Sequence, residues 1–214
     1  DQVYHFFGVI AMKKTFIRYV FPSMIAFVFS GLYAMVDAFF VGRNVGDSGL
    51  AAINIAYPMV AFVQSVGTGI GIGGAVYIAT CIGNKDARRE RDYLLSTVIF
   101  LAAAAVALTA LILLTYSPLL TLFGAHGAVH ESASDYITVI IAGAAFQVFS
   151  TGLVPILRNS GQSFLAMLSM VLGFVTNIVL DWLFVQVLKT ALTGAALATI
   201  IGQAATVVPC AVYL

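Results

Sequence analysis

Two carboxylates lie inside apolar runs of this chain, Asp37 in FSGLYAMVDAFFVGR and Asp181 in FVTNIVLDWLFV. The other seven of the nine acidic residues fall in the N-terminal tail or in polar connectors. An ionised carboxylate inside a bilayer costs on the order of 2.5–3.5 kcal/mol even on insertion scales. Asp is also too short to reach far toward water, so each must be protonated, paired, cation-bound or turned to a wet cleft. Two such groups that meet in a low dielectric cannot both ionise cheaply. A proton or a sodium ion relieves the repulsion. Sodium is a hard cation, suited to carboxylate, amide and hydroxyl oxygens, and Asn177, Thr199 and Tyr136 carry such oxygens near the two acids. The alternative is that Asp37 and Asp181 only hydrogen-bond neighbouring helices, a role that membrane proteins more often give to Ser, Thr, Asn or Gln.

The elements that position these residues follow from composition. Of 214 residues, 61% are hydrophobic and 9% charged, with a mean hydropathy of +1.03. A soluble domain averages roughly a quarter charged residues, and no globular core of this length could bury so much apolar surface. A bilayer core of about 30 Å needs about 20 apolar residues per helix. Six runs meet that requirement, at 16–41, 50–82, 94–116, 136–157, 164–188 and 194–214. They are continuous and not alternating at period two, which excludes a membrane barrel. The expected fold is all-α, a polytopic membrane bundle of six transmembrane helices following an N-terminal segment at 1–15. The second run is long enough for a tilted or broken helix, with Pro58 as the break point.

Depth brings the polar residues together. Spans one and five run in the same direction. Asp37 is six residues before Arg43 and Asp181 eight before Lys189, about 9 Å and about 12 Å along a helix. Asn177 is one turn deeper than Asp181 on the same face. Span six runs back, and Thr199 is six residues past Thr193, again about 9 Å from the outer side. Asp37, Tyr136, Asn177, Asp181 and Thr199 can therefore share one layer in the outer half of the membrane.

Orientation follows from Lys and Arg. Lys13, Lys14, Arg18, Lys85, Arg88, Arg89, Arg91 and Arg158 fall on one side, Arg43 and Lys189 on the other. The N-terminus is expected in the cytoplasm and the protein in the plasma (inner) membrane. The basic loop GNKDARRERD is a topology signal near anionic lipid, and no nucleic-acid partner is expected. No cleavable leader pattern is present. The chain starts at Asp1 and stops at Leu214 without a polar flank, so it is expected to be part of a longer protein or a trimmed form of one.

Weaker signals carry less. Gly69, Gly71 and Gly74 spell G-x-G-x-x-G, but a dinucleotide site needs that pattern between a strand and a helix. Gly67 with Gly71 and Gly69 with Gly73 also fit G-x-x-x-G, the pattern of close helix packing. Cys81 and Cys210 read as small packing residues near the cytoplasmic side. His126, His130 and Glu131 fall in an outer loop, where solvation is a better account than a metal. No hydrolase, metalloprotease or phosphate-cradling motif occurs. An enzyme finds no support, and no cofactor is expected beyond a coupling ion, H+ or Na+.

The stretch LYAMVDAFFVGRNVGDSGLAAINIAYP resembles the first-span region of the multidrug and toxic compound extrusion transporters, the MATE family. LRNSGQSFLAMLSMVLGFVTNIVLDWLFV followed by TGAALATIIGQ is similar to that family's fourth-to-sixth-span region. The resemblance covers the chain from about Phe16 to its end and implies a secondary antiporter that expels organic cations and drugs against inward protons or sodium. It implies two lobes of six helices around a cleft, this chain being the N-terminal lobe. Its partners would be the substrate, the lipid bilayer, and a C-terminal lobe or a second copy. The family's cation site maps onto Asp37, Asn177, Asp181 and Thr199, with Tyr136 beside them, and its helix-kinking proline onto Pro22. At Gln203 the family pattern leads one to expect a more apolar residue. Two other readings remain. One is a lipid-linked oligosaccharide flippase of the same superfamily, whose cleft should carry cations for pyrophosphate. The other is a non-transporting membrane fragment acting as an assembly module.

Overall fold

A computed structural model describes the backbone from Gln2 to Leu214 and the side chains from Phe16 onward. The side chains of the N-terminal segment 1–15, Lys13 and Lys14 among them, lie outside the described residues. Seven α-helices follow one another: α1 Gln2–Asn44, α2 Asp47–Gly83, α3 Ala87–Leu122, α4 Gly127–Ala142, α5 Ala144–Asn159, α6 Ser163–Asp181 and α7 Ala191–Tyr213. A single π-helical turn, Trp182–Val187, prolongs α6. The described residues are all helix and short turns, as the apolar runs require where lipid offers the backbone no partner.

Five helices are long and apolar enough to cross a membrane, and α4 with α5 makes a sixth crossing when taken as one bent span. Two expectations are corrected here. Pro58 lies inside an unbroken α2. The break falls instead in the fourth span, where α4 and α5 meet at Gly143 with a bend of 58°. No proline marks it. A Cβ at Gly143 would fall on the side chain of Ile200, so the absence of a side chain lets α7 fill the inside of the corner. The fourth span also starts earlier than expected, because the stretch read as an outer loop is helical from Gly127. His130 and Glu131 therefore sit on α4, and the His130 ring lies 3.4 Å from Ser117 O. Among the described residues no cluster of three His, Cys, Asp or Glu could hold a metal.

Turns and caps are local chemistry. Gly46 (φ 82°) joins α1 to α2 and Gly161 (φ 89°) joins α5 to α6, conformations that glycine adopts without strain. The Asp86 side chain accepts from Arg89 N at 3.2 Å and caps α3. Hydroxyls within the spans bond back to carbonyls one turn earlier, Thr97 to Tyr93 O at 2.7 Å for example, which spares them an unpaired donor in hydrocarbon.

Glycines set the tightest helix crossings. A Cβ on Gly67 would run into Val148 and Thr151, and one on Gly71 into the backbone of Gly152. Gly69 and Gly73 face open space. The packing stripe is therefore Gly67 and Gly71, against α5. Gly173 of α6 and Gly202 of α7 form a second crossing, where a Cβ on Gly202 would lie 2.8 Å from Gly173 O. Cys81 and Cys210 are buried free thiols, as small packing residues should be. Pro22 is buried within α1, and the helix continues through it.

Candidate cation site

Three helices each present a pair of polar residues one turn apart: Tyr33 and Asp37 on α1, Asn177 and Asp181 on α6, Thr199 and Gln203 on α7. A spacing of four residues puts each pair on one helical face. The Gly173–Gly202 crossing holds α6 against α7 directly below Asn177 and Thr199. Asn177 Nδ2 donates to Thr199 Oγ1 at 3.4 Å. On α1, the Tyr33 ring stacks on Phe174 of α6, with centroids 5.4 Å apart and planes 9° apart. That stack faces Asp37 toward Asp181.

The two carboxyl groups come within hydrogen-bonding reach of each other. Such a contact needs a proton or a cation between them, because two carboxylates offer only acceptors. Asp181 is completely buried, Asn177 and Thr199 nearly so, and Asp37 partly. Asp37 Oδ1, Asn177 Oδ1 and both Asp181 oxygens are buried without a donor. Buried polar atoms in folded proteins are nearly always satisfied, so four such oxygens in one place mark a candidate site for a proton or cation. The donor set of two carboxylates with amide and hydroxyl oxygens fits a proton or a hard monovalent ion. It has no nitrogen or thiolate ligand for a transition metal.

The structure brings Asn177 and Thr199 into contact and sets Asp37 and Asp181 beside them. Tyr136 is buried on α4. Pro22 stands four turns below Asp37 on α1, outside the cluster. Tyr33 is the residue that sequence reading missed. It lines the void beneath the acids together with Asn177 and Thr199. A signal was available in its spacing, one turn before Asp37. Gln203 also finds its place: Ser150 of α5 donates to Gln203 Oε1. Tyr33, Phe174, Asn177, Thr199, Gln203 and Thr206 enclose a void of about 10 Å3 beneath the acids, room for about one water.

With this geometry in place, likeness to known proteins can be weighed. The MatE family model matches residues 22–183, from the buried proline of α1 to just past Asp181. The chain belongs to the MatE family. The multidrug export protein MepA of Staphylococcus aureus is 25% identical over 206 residues, covering 96% of this chain and 46% of MepA. A crystal structure of a MATE protein in a bent conformation superposes with a TM-score of 0.87 at 33% identity, covering 94% of this chain and 45% of that one. An outward-facing multidrug resistance MATE transporter of the MOP superfamily gives a TM-score of 0.89, also at 33% identity and with the same coverage. This MatE chain thus spans a little under half the length of the relatives it matches, consistent with one helical lobe of a two-lobed build.

Proposed function

We propose that this lobe couples an inward gradient of protons or sodium to the export of organic cations and drugs, as the N-terminal half of a two-lobed antiporter. The observation that carries the reading is the pair Asp37 and Asp181, facing each other across α1 and α6 with buried oxygens that no donor satisfies. The names of the relatives, a multidrug export protein and a multidrug resistance transporter, support the substrate class.

The coupling follows from what each residue does. Asp37 and Asp181 take up the incoming ion, with Asn177, Thr199 and Tyr136 supplying neutral oxygens. Before loading, mutual repulsion of the carboxylates pushes α1 from α6. After loading, the attraction of both to one cation draws the helices together. Since α1 leans on α6 through the Tyr33–Phe174 stack and the acids, a change at this one contact alters how α1 packs. That shift turns the lobes inward and weakens their hold on the exported compound. Each charge that moves inward gains about 2.3 kcal/mol per 100 mV of membrane potential. The opposite wall of the cleft is a C-terminal lobe or a second copy.

Asp37→Asn and Asp181→Asn, each in the full-length protein, test the proposal in vesicles with an imposed pH or sodium gradient. Each is expected to abolish gradient-driven dye export while leaving the protein folded. Undiminished export by both variants would falsify the coupling role.

A further inference from the structure

A second polar feature lies at the opposite end of the lobe, where α5 turns into α6. A recess of about 480 Å3 opens there between α1 and the α5–α6 corner, lined by Tyr19, Ser23, Phe27, Arg158, Asn159 and Ser163 among others. Arg158 is the cation of the recess. It lies half-buried, its guanidinium 5.8 Å from the Phe27 ring centroid and its Nη2 3.6 Å from Met170 Sδ. Its Nε is buried with no acceptor. Among the described residues the only ion pair is Arg89 with Asp86, so Arg158 has no acid beside it.

Ser163 is the second, independent mark. It is the first residue of α6, only 3% exposed, and its hydroxyl has no partner. No side chain caps this helix, and its first internal bond is Ala166 N to Gln162 O. The amides that precede that bond are free donors at the positive end of the helix dipole. A half-buried arginine with an unpartnered Nε and a buried, unpartnered hydroxyl line one recess, at the uncapped start of α6. Together they describe an anion site, of the kind phosphate oxygens fill.

We propose that this recess holds the phosphate-bearing headgroup of an anionic membrane lipid. The walls favour a lipid over a soluble phosphate. Met24 and Phe27 on the α1 side are 62% and 65% exposed, and Phe21 and Val28 extend the same exposed apolar surface along the helix. An acyl chain can lie on that surface while its headgroup enters the recess. The recess is at the end of the lobe that carries Lys85, Arg88, Arg89 and Arg91, the end that the charge rule places at the anionic cytoplasmic leaflet. The headgroup would bridge α1 to the α5–α6 corner and so brace the lower half of α1, far from the acids.

Binding to the full-length protein tests this without reference to transport. Native mass spectrometry and thermal stabilisation are measured with phosphatidylglycerol, with phosphatidylcholine, and with inorganic phosphate alone. Phosphatidylglycerol is expected to bind selectively, and Arg158→Gln to weaken it about tenfold, as loss of a charge-assisted hydrogen bond should. Ser163→Ala should weaken it about threefold, and it keeps the proposal testable if Arg158→Gln fails to fold. Arg88→Gln, on the exposed basic loop, should leave it unchanged. Equal binding of both lipids, displacement by inorganic phosphate at lipid-like concentrations, or indifference to both substitutions would each overturn the proposal. So would crosslinking of Ser23→Cys to another segment of the protein in place of a thiol-reactive phosphatidylglycerol analogue.

Discussion

Asp37 and Tyr33 share a face of α1 one turn apart, yet only the acid stands out in the sequence. A carboxylate in an apolar run is conspicuous because its desolvation cost demands a reason. A tyrosine buries most of its surface as a hydrophobe and shows its polar end only through what it touches. Depth therefore singles out Asp37, Tyr136, Asn177, Asp181 and Thr199, and it passes over Tyr33. Its ring stacks on Phe174 while the residue also lines the polar void with Asn177 and Thr199, so the two roles separate by mutation. Tyr33→Phe keeps the stack and removes the oxygen. A hydroxyl oxygen that helps hold the ion contributes about 1 kcal/mol, so its loss raises the half-saturating concentration of coupling ion by about fivefold. Dye efflux titrated against external sodium or protons measures it, with thermal stability expected to stay level. A curve that overlays the wild type would remove the Tyr33 hydroxyl from the site. Gln203 was visible as a departure from an apolar pattern, but its partner Ser150 lies 53 residues away, beyond what local spacing can reveal.

At the scale of elements, the six runs were legible because apolar length is a direct measure of membrane crossing. The place where a span breaks was not. Pro58 removes one backbone bond, which neighbouring helices accommodate in a well-packed span, and α2 runs straight through it. The α4–α5 bend falls at Gly143, where Ile200 of α7 comes too close for a Cβ, a tertiary contact that local spacing does not reveal. The two G-x-x-x-G registers of α2 were equally legible and equally ambiguous, since spacing alone does not say which face meets a neighbour. The structure distinguishes them, and substitution should too. Gly71→Ala forces a Cβ into the backbone of Gly152. Overpacking of this kind costs about 1–3 kcal/mol and should lower the thermal denaturation midpoint of the detergent-solubilised protein by several degrees. Gly69→Ala meets open space and should leave the midpoint where it is. Equal loss in both variants would mean that α2 packs on a different face.

For the whole molecule, charge asymmetry predicts an orientation, but lipid hides how the helices dock. A helix that is apolar all round has no amphipathic face to announce its neighbour, so the seating of α1 against α6 could not be read from its residues. Orientation is a separate matter, because it depends on the polar turns. The turns holding Arg43 and Lys189 lie at the end of the bundle nearer the acids, and the turn holding Lys85 to Arg91 lies at the other. With six of the eight Lys and Arg among the described side chains at the second end, that end should face the cytoplasm. Single cysteines test it in the full-length protein on intact cells. Ser48, just past the α1–α2 turn, and Asn84, in the α2–α3 turn, are both exposed. The native Cys81 and Cys210 are buried and are replaced by alanine for a clean background. A membrane-impermeant maleimide should label Ser48→Cys at once and Asn84→Cys only after permeabilisation. The acids would then sit in the outer half of the membrane, where an inward gradient delivers its ion first. The reverse labelling pattern would put Asp37 and Asp181 on the cytoplasmic side, and an ion entering from outside would have to cross most of the bilayer before meeting them.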